Sequence, residues 1–147
     1  MANYFEQKGT TALKLWIYSL AVNNLKEEFH KEKTLRLKET ITSFIKLLRC
    51  NGSPEEEAYA KALVAQLPAK PRGYVRRGEI GVLEMKSWLI DLALNELEKQ
   101  PEQNKEKAEQ LRQWMDISAF AMMNLHIDVR VAFLKQQKRI KALLAVS

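Results

Sequence analysis

The sequence is poor in the residues from which disulfides, metal sites and catalytic centres are usually built. Cys50 is its only cysteine, and its two histidines, His30 and His126, lie far apart in the chain. A single cysteine cannot form an internal disulfide, which fits a reducing compartment. The sequence has no glycine-rich phosphate loop and no HExxH, CxxC or GxSxG motif. We therefore expect a protein that is not an enzyme and that uses neither a metal ion nor a cofactor.

Long apolar segments are also missing. No apolar run approaches the roughly 18 residues that a membrane-spanning helix needs. The first residues, MANYFEQKGTT, lack the basic and then apolar layout of a signal peptide. These features predict a soluble, cytoplasmic protein with no membrane partner. At 147 residues the chain has the size of one domain with a single core, and we assign residues 1–147 to that domain.

Apolar residues recur at helical spacing along most of the chain, and no segment shows the alternation typical of a β-strand. On the second predicted helix, for example, Leu37, Ile41 and Leu48 fall on one face. The predicted fold class is therefore all-α, as a compact bundle of five to six helices. The run HKEK at 30–33 either separates the first two helices or continues them. The approximate helix ranges are 10–32, 34–49, 54–67, 79–99, 101–124 and 128–145.

The sharpest predicted helix boundary is the sequence CNGSPEEE. Asn51 and Gly52 tolerate the left-handed conformation that ends many helices. Ser53 can cap the next helix, and Pro54 suits its first turn. Glu56 then occupies the capping-box position. This pattern predicts a helix that starts at Pro54 and buries four residues, Ala58, Tyr59, Ala62 and Leu63.

Positive charge is concentrated in the segment 68–78, PAKPRGYVRRG. Its two prolines and two glycines predict a loop between helices, and it holds four cations, one aromatic residue and no acid. Arginines can contact several phosphates, and a tyrosine can stack on a base or a sugar. The segment therefore favours binding of a nucleic-acid backbone without sequence discrimination, and the alternative is a solvated linker. The candidate residues are Lys70, Arg72, Tyr74, Arg76 and Arg77.

Cations also accumulate on two predicted helices. The segment from Ile117 to the end contains five cations and one acid, in a chain whose net charge is +6. A local positive potential attracts polyanions, although an ordinary solvated helix face has a similar pattern. The further candidates for nucleic-acid binding are Lys38, Lys46 and Arg49 on the second helix, and Lys135, Lys138, Arg139 and Lys141 on the last.

The chain resembles the small, helical, Cascade-type subunit of CRISPR effector complexes, notably that of subtype I-D. The resemblance rests on the all-helical plan of the whole chain, on the start at Met1 without a targeting segment, and on the basic patches KPRGYVRR and KQQKRIK. In some of these systems the small subunit is made from an internal start within the large-subunit gene. The resemblance implies a non-catalytic protein that lines up with copies of itself and with other protein subunits. There it would stabilise the RNA guide–DNA duplex and the displaced single-stranded DNA.

Two other functions stay open on the sequence. A helical DNA-binding regulator would need a helix-turn-helix and would prefer one DNA sequence over bulk DNA. A protein–protein adaptor with an acidic partner would have little affinity for nucleic acid at physiological salt. For contacts with neighbouring subunits, the candidates are four aromatic residues that would otherwise belong to the core, Trp16, Tyr18, Trp88 and Trp114.

Overall fold

The structure is a computed structural model, and it describes residues 10–67 and 81–146. These residues form seven α-helices and no strand, which confirms the all-α class. The count of five to six helices was too low. The helices are α1 (Thr11–Glu27), α2 (Lys31–Asn51), α3 (Pro54–Gln66), α4 (Val82–Leu97), α5 (Lys105–Ile117), α6 (Ala119–Met123) and α7 (Ile127–Ala145).

The additional helix results from a break at Ser118. The sequence predicted one helix over 101–124, whereas the structure has a short 3-10 turn at Pro101–Gln103 followed by α5 and α6. Ser118 leaves the helical conformation, with φ −107° and ψ 9°. Its hydroxyl accepts a hydrogen bond from Lys86 on α4 at 2.6 Å. The break therefore coincides with a contact between distant parts of the chain, which local periodicity does not reveal.

The run HKEK separates α1 from α2. α1 ends at Glu27, and His30 has an extended backbone with φ −136°. The imidazole of His30 caps α2, because Nδ1 accepts a hydrogen bond from the backbone N–H of Lys33 at 3.2 Å. A side chain that satisfies an orphan N–H in this way stabilises the first turn of a helix.

The predicted capping box between α2 and α3 is confirmed. Ser53 Oγ accepts a hydrogen bond from the Glu56 N–H at 3.2 Å, and the Glu56 carboxylate accepts one from the Ser53 N–H at 2.9 Å. Gly52 is extended, with φ −105°, rather than left-handed. Glycine suits this position for another reason, since a Cβ would lie 2.6 Å from Leu48 Cδ2 and 3.1 Å from the Leu48 carbonyl oxygen.

One cluster of buried apolar residues draws side chains from all seven helices. α1 and α4 lie at its centre, because α1 packs against α2, α3, α4 and α5, while α4 also packs against α2, α5 and α7. The predicted inner face of α3 was mostly wrong. Leu63 is buried as expected, together with Ala60, which was not predicted to be buried. The other three predicted residues, Ala58, Tyr59 and Ala62, are exposed. α3 packs mainly against α1 and α2, so only a narrow face of it is covered.

Candidate nucleic-acid interface

Five of the twelve predicted nucleic-acid-binding residues lie outside the part of the chain that the structure describes. The other seven lie on α2 and α7, and their environments differ from one residue to the next. The five outside are Lys70, Arg72, Tyr74, Arg76 and Arg77.

The α2 candidates lie along one side of that helix. At 3.6 residues per turn, Lys38, Lys46 and Arg49 fall within about 80° of one another. Lys38 is half-buried and lines a shallow depression with Thr42, while Lys46 is exposed. Arg49 donates from Nε to the carboxylate of Glu57 on α3 at 2.7 Å. This side of α2 therefore offers two ammonium groups and one guanidinium that already has a carboxylate partner.

The three lysines of α7 are exposed on a helix whose other side enters the core through Val129 and Phe133. None of the three forms an ion pair with a carboxylate among residues 10–67 and 81–146. Their spacing of three places them within about two turns of helix. The residues are Lys135, Lys138 and Lys141.

Arg139 lies on α7 beside these lysines but contacts α4. Its Nε and Nη2 atoms donate to the two carboxylate oxygens of Glu98 at 3.0 and 2.7 Å, and Nη2 also donates to Asn95 Oδ1 at 2.7 Å. Asp91 lies 3.4 Å from Nη1. The hydrogen bonds from Arg139 lower the pKa of Glu98 and raise that of Arg139 itself. A phosphate would have to compete with these acceptors, so Arg139 chiefly fastens α7 to α4.

A stripe of exposed apolar side chains lies along the first half of the outward side of α7. Ile127, Val131 and Leu134 are 62%, 42% and 42% exposed. Their spacing of four and three residues aligns them in one stripe, opposite the core face of the helix. Phe120 on α6, which packs against α7, is 84% exposed. Large exposed apolar side chains in one patch are typical of a protein contact surface.

Of the four aromatic candidates for contacts with other subunits, two are not exposed as that role requires. Tyr18 and Trp114 belong to the buried cluster, while Trp16 and Trp88 are half-buried and pack against its edge. Each of the two half-buried indoles is covered by a lysine ammonium, at 4.5 and 4.7 Å from the ring centre. The exposed apolar surface lies on α6 and α7 instead. The sequence predicted the inner face of α7, which is confirmed for Val129, Phe133 and Ile140.

Two lysines that the sequence analysis did not select lie inside the bundle. Lys14 on α1 and Lys86 on α4 are 7% and 9% exposed. Lys86 Nζ donates to the carbonyl oxygen of Trp114 at 2.8 Å and to Ser118 Oγ at 2.6 Å. Burial, and then the charge of Lys14, lower the pKa of Lys86 to about 7. Burial also lowers the pKa of Lys14. No local signal in the sequence distinguishes these lysines from surface lysines.

No family model, curated protein or solved structure matches the chain. Within residues 10–67 and 81–146, no group of three or more His, Cys, Asp or Glu side chains is placed to hold a metal ion. No helix in that same part of the chain has the combination of length and apolar character that crossing a membrane requires. The function therefore has to be argued from the arrangement of charge and apolar surface.

Proposed function

We propose that the chain is a non-catalytic, sequence-independent nucleic-acid-binding subunit of a CRISPR-type ribonucleoprotein effector complex. In this role it stabilises the guide–target duplex and the displaced DNA strand. Its partners are nucleic acid, other protein subunits and copies of itself. The proposal rests on the cationic second half of α7, and the α2 lysines and the segment 68–78 extend the same hypothesis.

The observation that carries the proposal is the contrast between the α7 lysines and those cations that bind carboxylates. Lys135, Lys138 and Lys141 are exposed and form no ion pair with a described carboxylate. By contrast, Arg112 binds Glu109 and Asp116. Ammonium groups without a carboxylate partner can bind phosphates at no cost from a broken ion pair, and they release counterions from the nucleic acid.

The energetics of duplex formation suit a binder of this kind. Replacing a DNA duplex by an RNA–DNA heteroduplex is nearly balanced in free energy, so backbone contacts from protein can shift the equilibrium. Contacts to phosphates fix position without reading sequence. Three lysines on one helix can therefore help to favour a bound strand without selecting its bases.

The apolar first half of α7 supports the part of the proposal that concerns other protein subunits. Ile127, Val131 and Leu134 precede the lysines on the same helix, so a subunit docked on them would lie next to the nucleic acid. Protein contact surfaces commonly have an apolar centre and a charged rim. A single helix would thus contact both a protein neighbour and a phosphate backbone.

The test is fluorescence anisotropy with labelled single-stranded DNA, duplex DNA and RNA–DNA heteroduplex across a salt series. The α7 variant is K135Q/K138Q/K141Q. Its matched control, K61Q/K99Q/R112Q, removes the same charge at cations that bind carboxylates. A third variant changes Arg72, Arg76 and Arg77 to Ala.

We expect micromolar or weaker binding by the wild type, without preference for one sequence. Each lost duplex contact lowers the slope of log affinity against log salt by about 0.9, so the α7 variant should lose about two to three units. The control should lose much less. Equal losses in the two Lys/Arg→Gln variants would contradict a role for α7, and a strong preference for one DNA sequence would favour the regulator.

The protein adaptor is the second candidate, because the exposed apolar stripe on α7 is also what an acidic amphipathic partner would contact. This function predicts little affinity for nucleic acid at physiological salt. The same anisotropy series distinguishes the two candidates, since only the nucleic-acid-binding subunit keeps affinity there.

A further inference from the structure

A groove of about 390 Å³ lies between the first halves of α1 and α3, and none of its lining residues belongs to α2 or α7. On the α1 side it is lined by Ala12, Leu15 and Trp16, whose spacing of three and four residues places them on one helix face. On the α3 side it is lined by Tyr59, which is 48% exposed. The α1–α3 groove is therefore apolar, contains two aromatic side chains and is open to water.

Two carboxylates without a cationic partner also line this groove. Glu55 forms no ion pair or side-chain hydrogen bond among the residues that the structure describes. Glu56 accepts a hydrogen bond from the Ser53 N–H through one carboxylate oxygen, and it contacts no cation in the same part of the chain. The next residue, Glu57, does not line the groove and binds Arg49 at 2.7 Å. The groove thus has local negative charge in a chain whose net charge is +6.

The aromatic side chains of the groove suit a cation as well. The ammonium of Lys107 on α5 lies 4.5 Å from the centre of the Trp16 ring, so this indole already attracts one positive charge. Lys107 is not among the residues that line the groove. Glu55 and Glu56 together outweigh this single lysine, and the groove stays attractive to a further cation.

We propose that the α1–α3 groove binds an arginine side chain on a basic segment of a partner protein. A guanidinium is planar, stacks on aromatic rings and donates to carboxylates through a fork of N–H groups. Its aliphatic stem also covers apolar surface. Trp16 and Tyr59 would contact the guanidinium plane, Glu55 and Glu56 would accept its hydrogen bonds, and Leu15 would pack against the stem.

The openness of the groove favours a protein partner over a small molecule. Pockets for small molecules bury most of the ligand surface, about 70–90% of it. Here Ala12, Glu55 and Tyr59 are exposed, so a ligand would stay partly outside, as an interface side chain does with the rest of its own chain. Arginine, tryptophan and tyrosine are also the residues that most often dominate protein interfaces.

Charge complementarity selects this groove over other surfaces of the chain. The exposed lysines of α2 and α7 repel a basic segment, whereas the unpaired carboxylates of the groove attract it. The groove is separate from those lysines, so this inference does not depend on the proposed binding of nucleic acid.

The experiment is an NMR titration of the isotope-labelled full chain with the capped tripeptide alanyl-arginyl-alanine at low salt. Tripeptides with citrulline or leucine in the centre are compared with it, and sodium chloride is added to match the ionic strength. Citrulline has the shape of arginine without its charge. We expect saturable shifts of the backbone amides at 12–16 and 55–59, with a dissociation constant in the millimolar range, since a single side chain binds weakly. The citrulline peptide should bind about fivefold more weakly or worse, because charge-assisted hydrogen bonds are the stronger ones.

The variant E55Q/E56Q removes both groove carboxylates, and glutamine at position 56 can keep the capping box. Tyr59→Ala removes an exposed ring. The matched control, E57Q, removes a carboxylate from the same turn of α3 but outside the groove. We expect E55Q/E56Q to weaken binding of the arginine peptide by about fivefold or more and Tyr59→Ala by about threefold, since each removes contacts to the guanidinium. E57Q should keep the wild-type affinity. Thermal denaturation verifies that each variant is folded.

Three results would overturn the proposal. Equal affinity for the arginine and citrulline peptides would show that charge is not recognised. A loss in E57Q as large as that in E55Q/E56Q would indicate a general attraction to the acidic first turn of α3. Tighter binding of the leucine peptide would assign the groove to an apolar anchor.

Discussion

The lysines on the outward side of α7 and the two lysines between α1 and α4 have the same side chain in opposite environments. Lys135, Lys138 and Lys141 are exposed to solvent. Lys14 and Lys86 are surrounded by helices, and burial lowers the pKa of both. The comparison teaches that a lysine in a sequence is not yet a surface charge, because the tertiary structure decides how much water reaches it.

If the outward side of α7 is a free surface, its side chains should contribute little to the free energy of unfolding. The side chains of the inner side should contribute much. Phe133 is fully buried and its neighbour Leu134 is 42% exposed. We expect Phe133→Ala to lower the free energy of unfolding by about 3–5 kcal/mol, because it leaves a cavity in the core.

Leu134→Ala is the matched control, and it should change stability by no more than about 0.5 kcal/mol. Urea denaturation followed by circular dichroism measures both variants. Comparable losses in the two would place the outward side of α7 in the core and would remove it as a binding surface.

The buried lysines predict a dependence of stability on pH. Between pH 7 and 9.5 the unfolded state keeps the Lys86 proton while the folded state loses it, because the folded pKa is about 7 and the ordinary value is 10.5. The unfolded state then binds more protons, so the free energy of unfolding should rise with pH by about 3 kcal/mol. Denaturant unfolding at a series of pH values measures the rise.

Lys86→Met should flatten this rise, and Lys138→Met should leave it intact. The series stops at pH 9.5 because burial raises the pKa of Tyr18, whose ionisation in the unfolded state opposes the effect at higher pH. A rise of the same size in Lys86→Met would show that Lys86 is not the group that titrates.

The smallest predicted effect is the difference in stability between variants at two adjacent cations of α7. Arg139 bonds both carboxylate oxygens of Glu98, whereas Lys138 has no described carboxylate partner. We expect Arg139→Met to cost about 1 kcal/mol, since solvent screening limits an ion pair whose members are partly exposed. Lys138→Met should cost less than about 0.5 kcal/mol.

Thermal melts of the two variants at low and high salt measure this difference, because salt screens an exposed ion pair and should narrow the gap. A loss in Lys138→Met as large as that in Arg139→Met would indicate that Lys138 also has a structural role. Such a result would weaken its assignment to the nucleic-acid surface.

Local chemistry in the sequence predicted the helical class and the start of α3, since the capping box depends only on Ser53, Pro54 and Glu56. It did not predict the break at Ser118, because the partner of that hydroxyl is Lys86 on another helix. It also placed Tyr59 inside, although α3 is covered only on the side of Ala60 and Leu63.

For the candidate site, the sequence determined where cations are dense, and it selected the lysines of α7 by charge alone. Only the tertiary structure decided that Arg139 is held by Glu98, that the outward apolar stripe of α7 is uncovered, and that Lys14 and Lys86 are inside. The physical reason is the range of the interactions. Helix propensity and capping depend on residues within a few positions, whereas ion pairing and access to water depend on which helices pack together.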